Sequence, residues 1–252
     1  MNLAGQGVLL VTGASRGIGA ATALLAGARG YAVAVNYRSD VRAAEAVVHR
    51  IEQGGGRAIA IQAHVADEQA VIDMFEACTC RLGTITGLVN NAGILERQST
   101  LAAMQMDRIR HVFETNVFGT MLCTREAVRR MAISAGGCGG GIVNVSSAAA
   151  RLGSPCEYVD YAASKGAIDT LTIGLAKEVA GEGIRVNGVR PGFIDTEMHA
   201  SGGEPDRIER VKGGIPLQRG GRPEEVAEAI LWLLSPAASY TTGAFIDVSG
   251  GK

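Results

Sequence analysis

The sequence predicts an α/β fold in which a doubly wound parallel sheet of about seven strands is flanked by helices. Short, near-continuously apolar runs bounded by Gly, Asn, Asp or Ser alternate with longer segments of helical period. Runs of that kind are strands buried on both faces of a parallel sheet. The first run also passes through a glycine-rich turn straight into a helical pattern, the start of a right-handed βαβ unit.

Taken in order, strands are expected over residues 8–12, 32–37, 58–62, 87–90, 142–146, 185–189 and 244–248. Helices are expected over 18–29, 41–53, 68–82, 104–131, 158–180 and 223–234. Asp40 and Asp67 stand at N-cap positions, where a short carboxylate satisfies free N–H groups. Pro223 suits a first helical turn, with Glu224 and Glu225 on the favourable dipole end. The glycines of 136–141 read as a turn into the fifth strand. No Pro/Ser-rich linker and no internal repeat divides the chain, so residues 1–252 read as one domain. The stretch 196–221, rich in Gly and charge, exceeds an ordinary connection and is expected to cover a substrate as a lid.

A chain of 252 residues buries roughly three quarters of its unfolded surface and needs no staples. Its formal charge is −1, with no basic block, which argues against a nucleic-acid partner. No apolar run approaches the roughly 18 residues of a membrane span, and the first positive side chain is Arg16, too late for a basic leader. A cytoplasmic protein without a membrane partner is expected. Cys78, Cys80, Cys123, Cys138 and Cys156 form no C-x-x-C pair and read as thiols of a reducing compartment. Cys78-x-Cys80 lacks both the spacing and the partner ligands of a metal site, so no metal is expected.

Chemistry begins at Thr12-Gly13-Ala14-Ser15-Arg16-Gly17-Ile18-Gly19. Glycines allow the sharp turn and a close backbone approach, and the following helix presents unpaired N–H groups to a phosphate. The spacing is G-x-x-x-G-x-G rather than the G-x-G-x-x-G of other Rossmann proteins. It points to a dinucleotide. The second strand ends Asn36-Tyr37-Arg38-Ser39, without the carboxylate that would bond the ribose hydroxyls of NAD. Arg38, joined by Arg16 from the turn, offers guanidinium groups to a 2′-phosphate. Asp40 is the rival, better used as a helix cap. NADP(H) is therefore expected in preference to NAD(H).

Tyr161 and Lys165 are one helical turn apart on one face. A nearby ammonium, together with an oxidised nicotinamide, favours the phenolate and is expected to bring its pKa down toward the working range. Tyr158 has Ala162 four residues on, so it lacks that partner. Ser147 follows the fifth strand, at the edge where such sheets bind ligands. Ser146 is its alternative, and side-chain alternation lets only one of the two face the site. Asn116 falls inside an expected helix, where Asn is disfavoured.

Together these motifs resemble the short-chain dehydrogenase/reductase family, and the resemblance covers essentially the whole chain. It is carried by the Gly-rich turn, by Asn90-Asn91-Ala92-Gly93, by Asn116, Ser147, Tyr161 and Lys165, and by Pro191-Gly192. The resemblance implies a Rossmann-like catalytic domain moving a hydride between nicotinamide and a carbonyl or secondary alcohol. It implies that Tyr161 is the acid, that Ser147 bonds the substrate oxygen, and that Lys165 holds the nicotinamide ribose. Asn116 would then hold a water linking Lys165 to solvent. Gly13, Ser15, Arg16, Gly17, Ile18, Gly19, Tyr37, Arg38, Ser39, Val65, Asn91, Ala92 and Gly93 would surround the rest of the cofactor. Pro191, Gly192, Ile194 and Thr196 would hold its carboxamide end.

Two features depart from the family pattern. His64-Val65 replaces the usual Asp-Val, and one extra residue separates Ser147 from Tyr161. The resemblance also implies a homotetramer built on the helices near 104–131 and 158–180 and on the 223–234 helix with the last strand. Three functions remain open on these residues. The first is a reductase similar to 3-oxoacyl-carrier-protein reductases or acting on small ketones. The second is a sugar or polyol dehydrogenase similar to glucose 1-dehydrogenases. The third is a dinucleotide-binding regulator without catalysis, against which the complete Ser147, Tyr161 and Lys165 set argues.

Overall fold

The computed structural model describes residues 7–252. Its strands are β1 (Val8–Val11), β2 (Ala32–Tyr37), β3 (Arg57–Gln62), β4 (Ile85–Asn90), β5 (Gly140–Val145), β6 (Ile184–Pro191) and β7 (Phe245–Val248). They form one sheet in the order β3-β2-β1-β4-β5-β6-β7, and all pairs are parallel. The direction of winding reverses between β1 and β4. The crevice above that switch point is where ligands of such sheets bind.

The helices are α1 (Gly17–Ala28), α2 (Val41–Gln53), α3 (Glu68–Leu82), α4 (Met106–Phe113) and α5 (Gly119–Met131). They continue with α6 (Ala149–Leu152), α7 (Val159–Glu178), α8 (Met198–Ser201), α9 (Arg207–Val211) and α10 (Pro223–Leu234). The expected caps are present: Asp40 accepts from Ala43 N–H at 3.0 Å, and Asp67 from Ala70 N–H at 2.9 Å.

Strand alternation splits the core into two layers. Leu9, Val11, Val33, Val35, Val143 and Val145 pack against Ala23, Ala26, Val47, Ile51 and Ile230 of α1, α2 and α10. Val8, Leu10, Ala34 and Ile142 turn the other way, onto Met74, Phe75, Cys123, Met131 and Ala176 of α3, α5 and α7. Phe75 is fully enclosed there, and its replacement by Ala would cost about 3–5 kcal/mol. Cys78 is buried in this layer while Cys80 is exposed, so the two thiols face different surroundings. No helix among the described residues is long and apolar enough to cross a membrane.

Two expectations are corrected. The helix expected over 104–131 is interrupted: Glu114–Phe118 forms a π-helical turn between α4 and α5. Such turns inside α-helices gather at functional sites, and this one contains Asn116. The stretch 196–221 is not irregular throughout, since α8 and α9 lie within it.

Candidate active site

The glycine-rich turn lies at the carboxyl end of β1. Gly13 and Gly17 adopt φ of 60° and 54°, a region costly for any side chain. A Cβ on Gly13 would stand 2.9 Å from Ala92 Cα, and one on Gly19 only 2.4 Å from Asn91 Nδ2. The turn and the Asn91–Gly93 segment therefore meet backbone to backbone. Thr12 Oγ1 accepts from Asn91 and Ala92 N–H, both at 3.0 Å, and Asn91 Nδ2 donates to Thr12 O and Gly13 O. Helix α1 opens at Gly17 with no side-chain cap, so its first N–H groups are free for a phosphate.

These segments border a cleft of about 480 Å³ lined by Gly13, Ser15, Arg16, Gly17, Ile18, Arg38, Ser39, Val65, Asn91, Ala92, Gly93 and Thr196. The uncapped helix end and a cradle that Cβ atoms would fill suit a dinucleotide. Arg16 and Arg38 both line the cleft. Arg16 also reaches Ser201 Oγ of α8, at 3.5 Å. His64 lines the same cleft with its Nε2 buried and unpartnered. Burial first, then Arg38, lowers its pKa.

Tyr37 and Gly19 do not border the cleft. Tyr37 follows the parity of Val33 and Val35 and is buried in the α1–α2 layer of the core. Gly19 serves the contact of α1 with Asn91. Asn36, not singled out from sequence, takes the place given to Tyr37. Its Oδ1 accepts from Gly13 N–H at 3.1 Å, and its Nδ2 donates to Ala63 O at 3.1 Å. Strand parity was the signal that identifies it.

A second cavity, of about 330 Å³, shares Ile18, Asn91, Leu95, Thr196 and Met198 with the first. Ser147, Tyr161, Lys165, Pro191, Gly192 and Ile194 line it. Ser146 Oγ donates to Asp169 at 2.6 Å, behind the cavity. Ser147 Oγ accepts from Ala149 N–H at 3.1 Å. Both serines line the cavity, but the Ser146 hydroxyl is turned to Asp169 while that of Ser147 stays beside Ala149 N–H. The extra residue before Tyr161 falls in a loop where Ser154 and Cys156 both take positive φ, 46° and 62°.

Helix α7 carries Tyr161 and Lys165. Its start is pinned by Asp160, which accepts Tyr161 N–H at 2.9 Å and pairs with Arg108 of α4 at 2.7 Å. Lys165 is buried and its Nζ donates to Val145 O at 2.7 Å. That nitrogen stands 5.6 Å from the centre of the Tyr161 ring. Asn116 lies close by: its Nδ2 donates to Ile94 O and Ser164 Oγ, each at 3.1 Å, and its Oδ1 accepts Ile94 N–H at 2.8 Å. A Cβ on Gly93 would lie 3.4 Å from Asn116 Oδ1 and 3.6 Å from Lys165 Nζ. The π-turn, the Asn-Ala-Gly segment and α7 converge at that point.

Electrostatics differ from the sequence expectation in one respect. Burial raises the Tyr161 phenol above its usual value, opposed by its bond with Ser147. Burial also lowers Lys165 to about 8, with Asp169 acting the other way. Burial thus moves both groups toward their neutral forms.

Four residues of the 196–221 stretch, Thr196, Met198, His199 and Arg207, line the second cavity. Arg207 is buried between Glu157 and Glu204 and stacks on Tyr158 at 4.7 Å. Tyr158 lines the cavity too. Among the described residues no three His, Cys, Asp or Glu side chains group as a metal site would require.

Residues 13–252 match the protein family described as Enoyl-(Acyl carrier protein) reductase. An uncharacterized oxidoreductase of Escherichia coli (strain K12), YgfF, is 62% identical over 97% of this chain and 99% of its own. A 3-oxoacyl-[acyl-carrier-protein] reductase of Synechocystis is 42% identical over 97% and 96%. A short-chain dehydrogenase from Burkholderia cenocepacia J2315, solved in complex with NADP, superposes with a TM-score of 0.88 at 34% identity, over 97% and 96% of the two chains. With the sheet order, the glycine cradle and the Ser147–Tyr161–Lys165 cavity, these likenesses identify the chain as an oxidoreductase of the short-chain dehydrogenase/reductase family.

Proposed function

We propose that this enzyme is an NADP(H)-dependent reductase of carbonyl compounds, running reversibly to the secondary alcohol, with Tyr161 as the proton donor. The observation that carries the reading is that the two cavities adjoin through Ile18, Asn91, Leu95, Thr196 and Met198, with Tyr161 and Lys165 lining the second. When bound, the reduced dinucleotide supplies the hydride. Ser147 and Tyr161 bond the carbonyl oxygen, and Tyr161 gives it the proton. A phenol held above its ordinary pKa stays protonated at neutral pH, the form that reduction needs. Lys165 and Asn116 then return a proton to Tyr161 through water. Ile194 and Thr196 orient the carboxamide end of the cofactor, and Lys165 its ribose.

Arg16 and Arg38 support NADP(H) over NAD(H): both border the cleft, and Asp40, which borders it as well, spends its Oδ1 on capping α2. Exposed Phe118, Met121 and Ile173 on one side, and Trp232 and Tyr240 on another, support a homotetramer with two interfaces, as in the family. Five free cysteines support the cytoplasm. The test is oxidation of NADPH and of NADH, followed by absorbance over a panel of ketones. Turnover with NADPH at ten or more times the kcat/KM seen with NADH is expected. A protein that binds NADPH tightly yet turns over no carbonyl would overturn the reading in favour of a regulator.

A further inference from the structure

Helix α8 places His199 on the wall of the substrate cavity. Its Nε2 lies 2.9 Å from the carbonyl oxygen of Ile194. A carbonyl oxygen only accepts, so Nε2 carries the proton and Nδ1 presents a lone pair. Burial first, then the Arg207 guanidinium, lowers the pKa of this imidazole, so the ring stays neutral at pH 7. Its Nδ1 is buried and has no partner. An orphaned buried acceptor is unfavourable, and a ligand able to donate a hydrogen bond would satisfy it.

A second observation on the same wall points the same way. Tyr158 is 2% exposed, and its hydroxyl is also buried without a partner. Gln98 lies near enough to lower the phenol's pKa slightly against the dominant effect of burial. The Gln98 amide, however, donates to Glu204 at 2.7 Å, and no aligned bond joins it to Tyr158. Arg207 and Arg210 both pair with Glu157 and Glu204, two cations against two anions. Much of the remaining wall is apolar, with Leu95, Leu152, Pro155, Phe193 and Met198, and Ser154 and Lys252 also border the cavity.

We propose that His199 and Tyr158 form a hydroxyl-recognition site, and that the substrate is a carbonyl compound bearing a hydroxyl group that donates to His199 Nδ1. This rests on the reductase reading above and specifies its substrate class. The apolar wall packs the carbon skeleton, Ser147 and Tyr161 take the carbonyl oxygen, and His199 with Tyr158 takes the hydroxyl. A site built to bond a hydroxyl discriminates strongly against the analogue that lacks one.

The experiment compares kcat/KM for acetone, hydroxyacetone, dihydroxyacetone, butanone and erythrulose, with NADPH saturating, in the wild type, His199→Gln and Tyr158→Phe. The Gln amide can still donate to Ile194 O, holding α8 in place, but it cannot reproduce the Nδ1 lone pair. Intrinsic reactivity of each ketone is the same in every variant, so a change in the ratio of hydroxylated to plain ketone isolates the contact. That ratio is expected to fall by about tenfold or more in His199→Gln, and by a smaller factor in Tyr158→Phe. A ratio unchanged in His199→Gln overturns the proposal while leaving the reductase reading standing. No turnover of any ketone by wild-type protein that binds NADPH overturns both.

Discussion

The dinucleotide cleft and the substrate cavity adjoin through Ile18, Asn91, Leu95, Thr196 and Met198, yet they are built from different materials. The cleft is made of backbone: glycines at positive φ, an uncapped helix end, and two chain segments meeting where any Cβ would intrude. The cavity is made of side chains brought from four distant places: after β5, the start of α7, the segment after β6, and α8 with α9. Backbone shape is written locally in sequence. Side-chain enclosure depends on pairs such as Glu157 with Arg207, 50 residues apart. The first kind of site fixes a cofactor common to many enzymes, and the second decides what is reduced.

The sharpest way to separate the two regions is Tyr161→Phe. Loss of the proton donor should cut turnover by roughly 10²–10⁴-fold, while the Kd for NADPH, measured by fluorescence, stays within about threefold. Parallel loss of dinucleotide binding would mean that the two regions are not separable. Gly19→Val attacks the other side. Its branched side chain would drive into Asn91 Nδ2 and Gly13 O, where even a Cβ would stand at 2.4 and 2.5 Å. NADPH affinity should fall by about a hundredfold, with stability reduced by about 1–3 kcal/mol in urea titration.

Lys165 belongs to both regions, and its effect divides accordingly. Its folded-state pKa, about 8 against an ordinary 10.5, means that the unfolded chain binds the extra proton between those values. Stability should therefore rise with pH across about 8 to 10.5, and the penalty is fully present below 8. Lys165→Met removes that penalty, on the order of 3 kcal/mol before the lost bond to Val145 O is counted. The expected outcome is a higher Tm with activity abolished. In the wild type, reduction should decline above about pH 8 as the ammonium loses its proton; a flat profile to higher pH would contradict its role in proton return. The smallest effect is expected from Arg38→Ala. It should weaken NADPH by about tenfold, near the strength of one charge-assisted hydrogen bond, and leave NADH nearly unchanged.

The contrast also explains what could be read beforehand. All seven strands were legible to within about two residues, because burial on both faces leaves an unbroken apolar run. The glycine turn, Tyr161 and Lys165 were legible because their spacing carries the geometry. Ser147 was chosen over Ser146 through the family resemblance, and the fold adds that the Ser146 hydroxyl is taken by Asp169. Tyr37 was misplaced although the parity of Val33, Val35 and Tyr37 was visible. The π-turn at Asn116 was not legible, because its local sequence suits a helix and its irregularity is secured by Ile94 and Ser164, 22 and 48 residues away. His199 carried no signal at all. Its chemistry exists only once the Ile194 carbonyl takes one nitrogen and burial isolates the other.

Single-turnover transfer from deuterium-labelled NADPH to a hydroxyketone tests most directly whether the two regions act as one site. Recovery of one deuterium on the new carbinol carbon for each dinucleotide oxidised is the expected result. Oxidised dinucleotide without label in the product would contradict it.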